Sequence, residues 1–162
     1  MDKQIRSRVS LLNPVHFLAL GFGSGLAAKM PGTFGTLAAL PLVVLLSLYS
    51  SFNIYLIVTI LSSVVGIWIC GKAADDMGVH DDSSIVWDEL AGMLITMLAV
   101  PLSWQTLLAG FLLFRFFDII KPWPISYLDK HVHGGFGIMI DDVLAGLFAL
   151  VCLHLCLVFG WL

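Results

Sequence analysis

Apolar runs separated by short polar stretches make up most of this chain. Several of the runs are shorter than the ~20 residues that a helix needs to cross a bilayer. The pattern predicts an all-α, polytopic membrane helical bundle with about four to five membrane-embedded helices. A first run, interrupted by Asn13, Pro14 and a series of glycines, is expected to form an interfacial or re-entrant segment. The five later runs are residues 37–49, 54–70, 90–100, 104–117 and 143–162.

The composition supports a membrane protein. Of the 162 residues, 59% are hydrophobic and 12% are charged, whereas about a quarter of the residues in soluble domains are charged. We expect a single membrane domain over residues 1–162. Its basic residues are too few and too scattered to follow a nucleic-acid backbone, so no nucleic-acid partner is expected.

The charged residues fall on one side of the membrane if the chain forms two hairpins and a final helix. The hairpins would turn at residues 50–53 and 101–103, which carry no charge. All eleven acidic residues then share one side with all eight basic residues. The positive-inside rule makes that side cytoplasmic. The basic residues are Lys3, Arg6, Arg8, Lys29, Lys72, Arg115, Lys121 and Lys130.

The densest acidic cluster stands directly before an apolar run. Residues 81–92, DDSSIVWDELAG, contain Asp81, Asp82, Asp88 and Glu89. Carboxylates cost several kcal/mol to desolvate unless a cation, a proton or a hydrogen-bond donor compensates them. A divalent-metal site at the membrane surface would explain the cluster. Helix capping and the helix dipole are the alternative, but they account for only one or two of the acids.

Two further groups of charged residues lie on the same side. Arg115, Asp118 and Lys121 recur every three residues and therefore share one face of a helix. The face is either a structural salt-bridge ladder or a pair of cations for an anionic substrate with Asp118 turned toward a metal. Asp141 and Asp142 are expected to open the last helix, where acidic residues also suit the helix dipole.

The stretch PGTFGT, residues 31–36, precedes a predicted helix. Backbone N–H groups at a helix start, together with the hydroxyls of Thr33 and Thr36, can hold an anion. An ordinary turn with Thr36 as the N-cap explains the same residues, and no Walker sequence is present.

Carboxylates for a cation, groups for a phosphate and a position at the lipid surface together favour phosphate chemistry on a lipid. A cation transporter is the alternative from another class, although transport requires polar groups nearer the far side. A CDP-alcohol phosphotransferase is a second alternative, but its D-G-x-x-A-R signature is absent. A non-catalytic membrane subunit is a third, and it gives no reason for clustered carboxylates.

The chain resembles the phosphatidylglycerophosphatase A family, bacterial inner-membrane enzymes of phosphatidylglycerol synthesis. Motifs carry the resemblance in the family's order and cover most of the chain outside the apolar connectors. They are GFGSGL (21–26), PGTFGTLAALPL (31–42), MGVHDDSSIVWDELAGM (77–93), FRFFDIIKPWPI (114–125) and HGGFGIMIDDVLAG (133–146).

The resemblance implies a Mg²⁺-dependent inner-membrane hydrolase that converts phosphatidylglycerophosphate to phosphatidylglycerol and inorganic phosphate, with a cytoplasmic active site. Its partners would be the membrane and this phospholipid. We expect the metal ligands to be Asp81, Asp88, Glu89, Asp118, Asp141 and Asp142. The groups expected to take part in catalysis are Asp88, Glu89, Asp118 and Asp142. The groups expected to bind the substrate phosphate are Arg115, Lys121, Thr33 and Thr36.

Overall fold

The computed structural model describes residues 8–79 and 82–162, and within these ranges the chain is helical with no β-strand. The all-α prediction is confirmed. The helices are α1 (Pro14–Ala19), α2 (Pro31–Tyr49), α3 (Phe52–Met77), α4 (Trp87–Thr96), α5 (Trp104–Ile120), α6 (Ile125–His131) and α7 (Gly134–Val158), with a 3-10 segment at Gly21–Leu26.

Three of the described helices, α2, α3 and α7, are long and apolar enough to cross a membrane. Helix α5 has 17 residues and measures about 26 Å at 1.5 Å per residue, slightly less than the hydrocarbon core. The predicted number of four to five membrane-embedded helices is therefore approximate. The two predicted uncharged turns are present, since α2 ends at Tyr49, α3 begins at Phe52 and α5 begins at Trp104.

Helix α4 is the centre of the bundle. It has only ten residues, and every residue from Glu89 to Thr96 is buried. Helices α2, α3, α5 and α7 all pack against it. The backbones of α4 and α7 approach closely, since a Cβ at Gly146 would lie 2.6 Å from the carbonyl oxygen of Gly92. Small residues permit such contacts between membrane helices.

The N-terminal segment packs against the charged end of α3. Asn13 caps α1 by accepting a hydrogen bond from the backbone N–H of Val15. The buried His16 contacts Asp76 near the end of α3, with 3.2 Å between Nε2 and Oδ2. The backbone N–H of Val86 donates to the carbonyl of Ala19. These contacts connect the segment to the loop that leads into α4.

Two helices begin earlier than the sequence suggested. Helix α2 starts at Pro31, so Thr36 lies inside the helix and is not its N-cap; proline is favoured in the first turn because the missing N–H has no helical acceptor there. Helix α7 starts at Gly134, so Asp141 and Asp142 lie two turns inside it. Gly135 allows this early start, because a Cβ there would overlap the carbonyl of Ile67 in α3.

Candidate active site

A cavity of about 280 Å³ lies at the charged end of the bundle. The beginnings of α2 and α4, the end of α5 and the second turn of α7 surround it. Its walls combine carboxylates, cations and backbone groups from segments that are distant in sequence. The lining residues are Met30, Pro31, Gly32, Ser83, Ile85, Asp88, Glu89, Arg115, Asp118, Lys121, Asp141 and Asp142.

Three of these carboxylates converge on one point. Oxygen atoms of Asp88, Glu89 and Asp142 all lie within 4.8 Å of one another. Asp88 and Glu89 occupy the first turn of α4, and Asp142 is buried on the facing side of α7. Like charges this close disfavour their common ionisation unless a cation lies between them. The three oxygens are close enough to one another to hold a single cation.

Glu89 shows the electrostatic cost of this arrangement. It belongs to α4, which is too short to span the membrane. Burial is the main cause that raises the pKa of Glu89 to about 8; the charges of Asp142 and Asp118 act in the same direction, against a hydrogen bond with Asp88 and the charge of Arg115. Its Oε2 atom is buried and has no hydrogen-bond partner among the described residues. A cation would compensate this oxygen.

Arg115 lies beside the carboxylate cluster. Its Nη1 atom is 2.6 Å from Oδ2 of Asp118 and 3.9 Å from Oε1 of Glu89. Arg115 and Asp118 both project from α5, three residues apart, as the sequence spacing predicted. The side chains of all three residues are largely buried, so the pairs are weakly screened by solvent.

Lys121 contacts two carboxylates, of which only Asp141 lies in the cavity wall. Its Nζ atom lies 2.6 Å from Oδ2 of Asp141 and 2.6 Å from Oδ1 of Asp129. Burial disfavours the ammonium, but the charge of Asp141 and the hydrogen bonds to Asp129 and Asp141 outweigh this effect and raise the pKa of Lys121. The side chain therefore carries a positive charge at neutral pH.

The cavity has more acids than bases. Five of its lining side chains are carboxylates and two are cationic, which leaves three excess negative charges if all are ionised. With all of them ionised, such a cavity would repel an anionic phosphate unless a cation were added. Carboxylate oxygens are the donors that Mg²⁺ prefers. The donor set and the uncompensated oxygen of Glu89 therefore both fit a bound Mg²⁺.

Gly32 brings α2 against this cluster. A Cβ at this position would lie 2.3 Å from Oε1 of Glu89 and 3.1 Å from Nη1 of Arg115. Met30, the N-cap residue of α2, is in the left-handed region with φ of 52°. Only glycine leaves the room that these two charged side chains occupy.

The predicted site residues divide into three groups. Those brought together at the cavity are Asp88, Glu89, Arg115, Asp118, Lys121, Asp141 and Asp142. Thr33 and Thr36 are not among its lining residues, and the Thr36 hydroxyl donates to the carbonyl of Gly32 within α2. Asp81 lies outside the described residues. Its neighbour Asp82 organises the loop by accepting hydrogen bonds from the backbone and hydroxyl of Ser84.

Sequence reasoning missed three residues at this site. Gly32 and Ser83 line the cavity, and Asp129 contacts Lys121 from outside it. Gly32 was considered only as part of a turn before the helix, and that interpretation gave no indication of its partners in α4 and α5. Asp129 lies eight residues after Lys121, beyond two prolines, a spacing that indicates no contact until the path of the turn is known.

These features define a class: an all-helical membrane protein with a carboxylate-rich cavity at its charged end. The chain belongs to the phosphatidylglycerophosphatase A family, whose family model matches residues 17–157. No solved structure matches the chain significantly.

Three curated relatives cover most of the chain. A phosphatidylglycerophosphatase A from Haemophilus influenzae is 54% identical over 145 residues, which is 89% of both chains. A phosphatidylglycerophosphatase A from Escherichia coli is 51% identical over 87% of this chain and 82% of that protein. A putative phosphatidylinositol-3-phosphatase from Bacteroides thetaiotaomicron is 37% identical over 83% of this chain and 87% of that protein.

Proposed function

We propose that this chain is a lipid phosphatase that hydrolyses the terminal phosphomonoester of phosphatidylglycerophosphate. The products are phosphatidylglycerol and inorganic phosphate. The observation that carries the proposal is the convergence of Asp88, Glu89 and Asp142 beside the cations Arg115 and Lys121 in one cavity. Membership of the phosphatidylglycerophosphatase A family and the names of two relatives supply the substrate.

Mg²⁺ is the proposed cofactor. Asp88, Glu89 and Asp142 would hold it, with Asp118 and Asp141 in the same cavity as further oxygen donors. The predicted ligand Asp81 stays a prediction. When bound, Mg²⁺ supplies positive charge to the phosphoryl group in the transition state and makes water more acidic.

The protein's own residues provide the remaining steps. Arg115 and Lys121 bind phosphate oxygens and hold the ester in line with the attacking water. A carboxylate of the cluster accepts the proton of that water as general base. Water forms the new P–O bond and the ester P–O bond breaks; the glycerol oxygen leaves as an alcohol with a proton from the solvent, and the carboxylate returns its proton to the solvent. The predicted phosphate contacts of Thr33 and Thr36 require these residues to approach a cavity that they do not line in the structure.

Phosphate release by the purified protein in detergent tests the function. We expect release from phosphatidylglycerophosphate with Mg²⁺, no release with EDTA, and no release by Asp88→Asn. Asp75→Asn is the matched control, since Asp75 is exposed at the same end and lies outside the cavity. No release by folded wild-type protein would contradict the proposal. Phosphatidylinositol 3-phosphate, offered in parallel, tests the substrate named for the third relative.

We also propose that the charged end faces the cytoplasm in the bacterial inner membrane. In a background without Cys70, Cys152 and Cys156, Lys130→Cys and Tyr49→Cys place one exposed thiol at each end. A membrane-impermeant maleimide added to spheroplasts is expected to label the Tyr49→Cys protein and to spare Lys130→Cys. The opposite pattern would contradict this orientation.

A further inference from the structure

The end of α5 places the Lys121 ammonium at the rim of the cavity. Lys121 is the C-cap residue, with φ of 45°, and its backbone N–H donates to the carbonyl of Phe117. Pro122 follows and cannot extend the helix. The chain reverses and begins α6 at the buried Ile125. This reversal brings Asp129 of α6 into contact with Lys121.

The two carboxylates at Lys121 differ in position. Asp141 lines the cavity, and its side chain is 11% exposed. Asp129 is on α6 outside the cavity lining, and its side chain is 38% exposed. Each has an oxygen 2.6 Å from Nζ. The ammonium is thus held between the cavity wall and α6, a helix that contributes no side chain to the cavity lining.

A lysine side chain loses more rotamer entropy on fixation than most others, about 2 kcal/mol. An ammonium has three N–H donors. Asp129 and Asp141 accept two, which leaves one for a phosphate oxygen. Without Asp129, the ammonium would have only the Asp141 carboxylate to hold it and would be less well placed for the substrate.

Arg115 provides the contrast. Its partners Asp118 and Glu89 both line the cavity. Its guanidinium is therefore held by groups of the site itself. For Lys121, the second contact comes from α6.

We propose that Asp129 is a positioning residue for substrate binding, which acts by holding the Lys121 ammonium at the cavity rim. The inference rests on the proposed function, in which Lys121 binds the phosphate. Asp129 itself makes no contact with the substrate.

Steady-state kinetics of Asp129→Asn test this role. We expect KM for phosphatidylglycerophosphate to rise about fivefold, the equivalent of one partly exposed ion pair, with kcat changed less than about twofold. Asp129→Glu keeps the charge and is expected to retain more of the wild-type KM. Lys130→Ala, an exposed neighbour on α6, is the matched control and should leave KM unchanged.

A double variant separates positioning from a general effect on the fold. In a Lys121→Met background, Asp129→Asn should cause no further rise in KM, because its target is gone. An additive rise would overturn the inference. So would an unchanged KM in Asp129→Asn, or a loss of folded protein in that variant, since the carboxylate would then support the fold instead of the lysine.

Binding of orthophosphate, measured by calorimetry with Mg²⁺ in detergent, needs no turnover. Asp129→Asn is expected to weaken it about fivefold, and Lys121→Met at least as much. Equal affinity of wild type and Asp129→Asn, or no binding by the wild type, would overturn the inference. If the wild type binds orthophosphate but does not hydrolyse the lipid, and Asp129→Asn weakens that binding, the positioning role stands and only the proposed substrate is contradicted.

Discussion

Two cavities of similar volume lie at opposite ends of α2 and α4. The charged one has about 280 Å³, and the other has about 240 Å³ at the turns that follow α2 and α4. No charged residue lines the second one among the described residues. Its walls are Leu46, Ser47, Ser50, Phe52, Tyr55, Met97, Ala99, Val100, Pro101 and Leu102.

The polar groups at the uncharged end are used to complete the helices. The Ser50 hydroxyl donates to the carbonyl of Leu46 at the end of α2. Ser103 and Thr106 form a reciprocal capping box at the start of α5. At the other end, Glu89 Oε2 is buried without a hydrogen-bond partner in the described part of the chain. The two cavities are therefore similar in volume, and they differ in the charged side chains that line them and in the buried polar atoms that the fold leaves without a hydrogen-bond partner.

The largest expected effect comes from the carboxylate cluster. Asp142→Asn should lower kcat about a thousandfold, because it removes one of the three converging oxygens proposed to hold the Mg²⁺ that offsets negative charge on the phosphoryl group. Phosphate release measures the effect. Tyr55→Phe removes the hydroxyl that donates to the carbonyl of Leu94 beside the other cavity and should leave kcat within about twofold. Equal losses of kcat in the two variants would contradict the distinction between the charged and the uncharged cavity.

The next effect concerns the close approach of α2. Gly32→Ala should reduce kcat/KM about a hundredfold, since the new methyl group displaces the Glu89 and Arg115 side chains. Phosphate release again gives the measurement. Ser47→Ala, on the same helix at the uncharged cavity, serves as the matched control. Full activity in Gly32→Ala would show that the cluster tolerates displacement.

Mg²⁺ should stabilise the protein through one cavity only. A ligand at one hundred times its Kd adds about 2.7 kcal/mol to the free energy of unfolding. We expect the melting temperature in detergent to rise with Mg²⁺ in the wild type and in Ser50→Ala, and to rise less in Asp142→Asn. An equal rise in Asp142→Asn would mean that the ion binds elsewhere.

The smallest effect is expected at the uncharged end. Ser103→Ala removes the side chain that accepts a hydrogen bond from the backbone N–H of Thr106. Loss of such a cap costs about 1 kcal/mol of stability. The melting temperature should fall while kcat stays unchanged. A loss of activity at temperatures where the variant remains folded would contradict this prediction and show that the uncharged end affects catalysis.

The sequence predicted the fold class because hydrophobic runs and uncharged turns are local signals. It also placed Asp88 and Glu89 at a helix start, and α4 does begin at Trp87. Helical spacing alone also placed Arg115 and Asp118 on one face of α5, whereas Lys121, predicted on the same face, is the C-cap residue that follows the helix. Each of these predictions needs only the residues of one segment.

The remaining features depend on contacts between segments. Asp141 and Asp142 were expected to open a helix, but α7 begins at Gly134 because Gly135 packs directly on α3. The glycines there indicated a loop when considered without α3. Gly32 contacts Glu89 and Arg115, residues more than fifty positions away, and no local pattern gives that proximity.

The burial of α4 has a consequence for the order in which the protein is made. α4 contacts α7 at Gly92 and Gly146, where Thr96 also donates to the Gly146 carbonyl. Translation delivers α4 to the membrane before α7, which is the last of the described helices. Asp88 and Glu89 are therefore synthesised before Asp142, the third carboxylate of the cluster. The proposed cation site can be complete only after α7 has been inserted, so a partly synthesised chain lacks the full set of carboxylates proposed to act on the lipids around it.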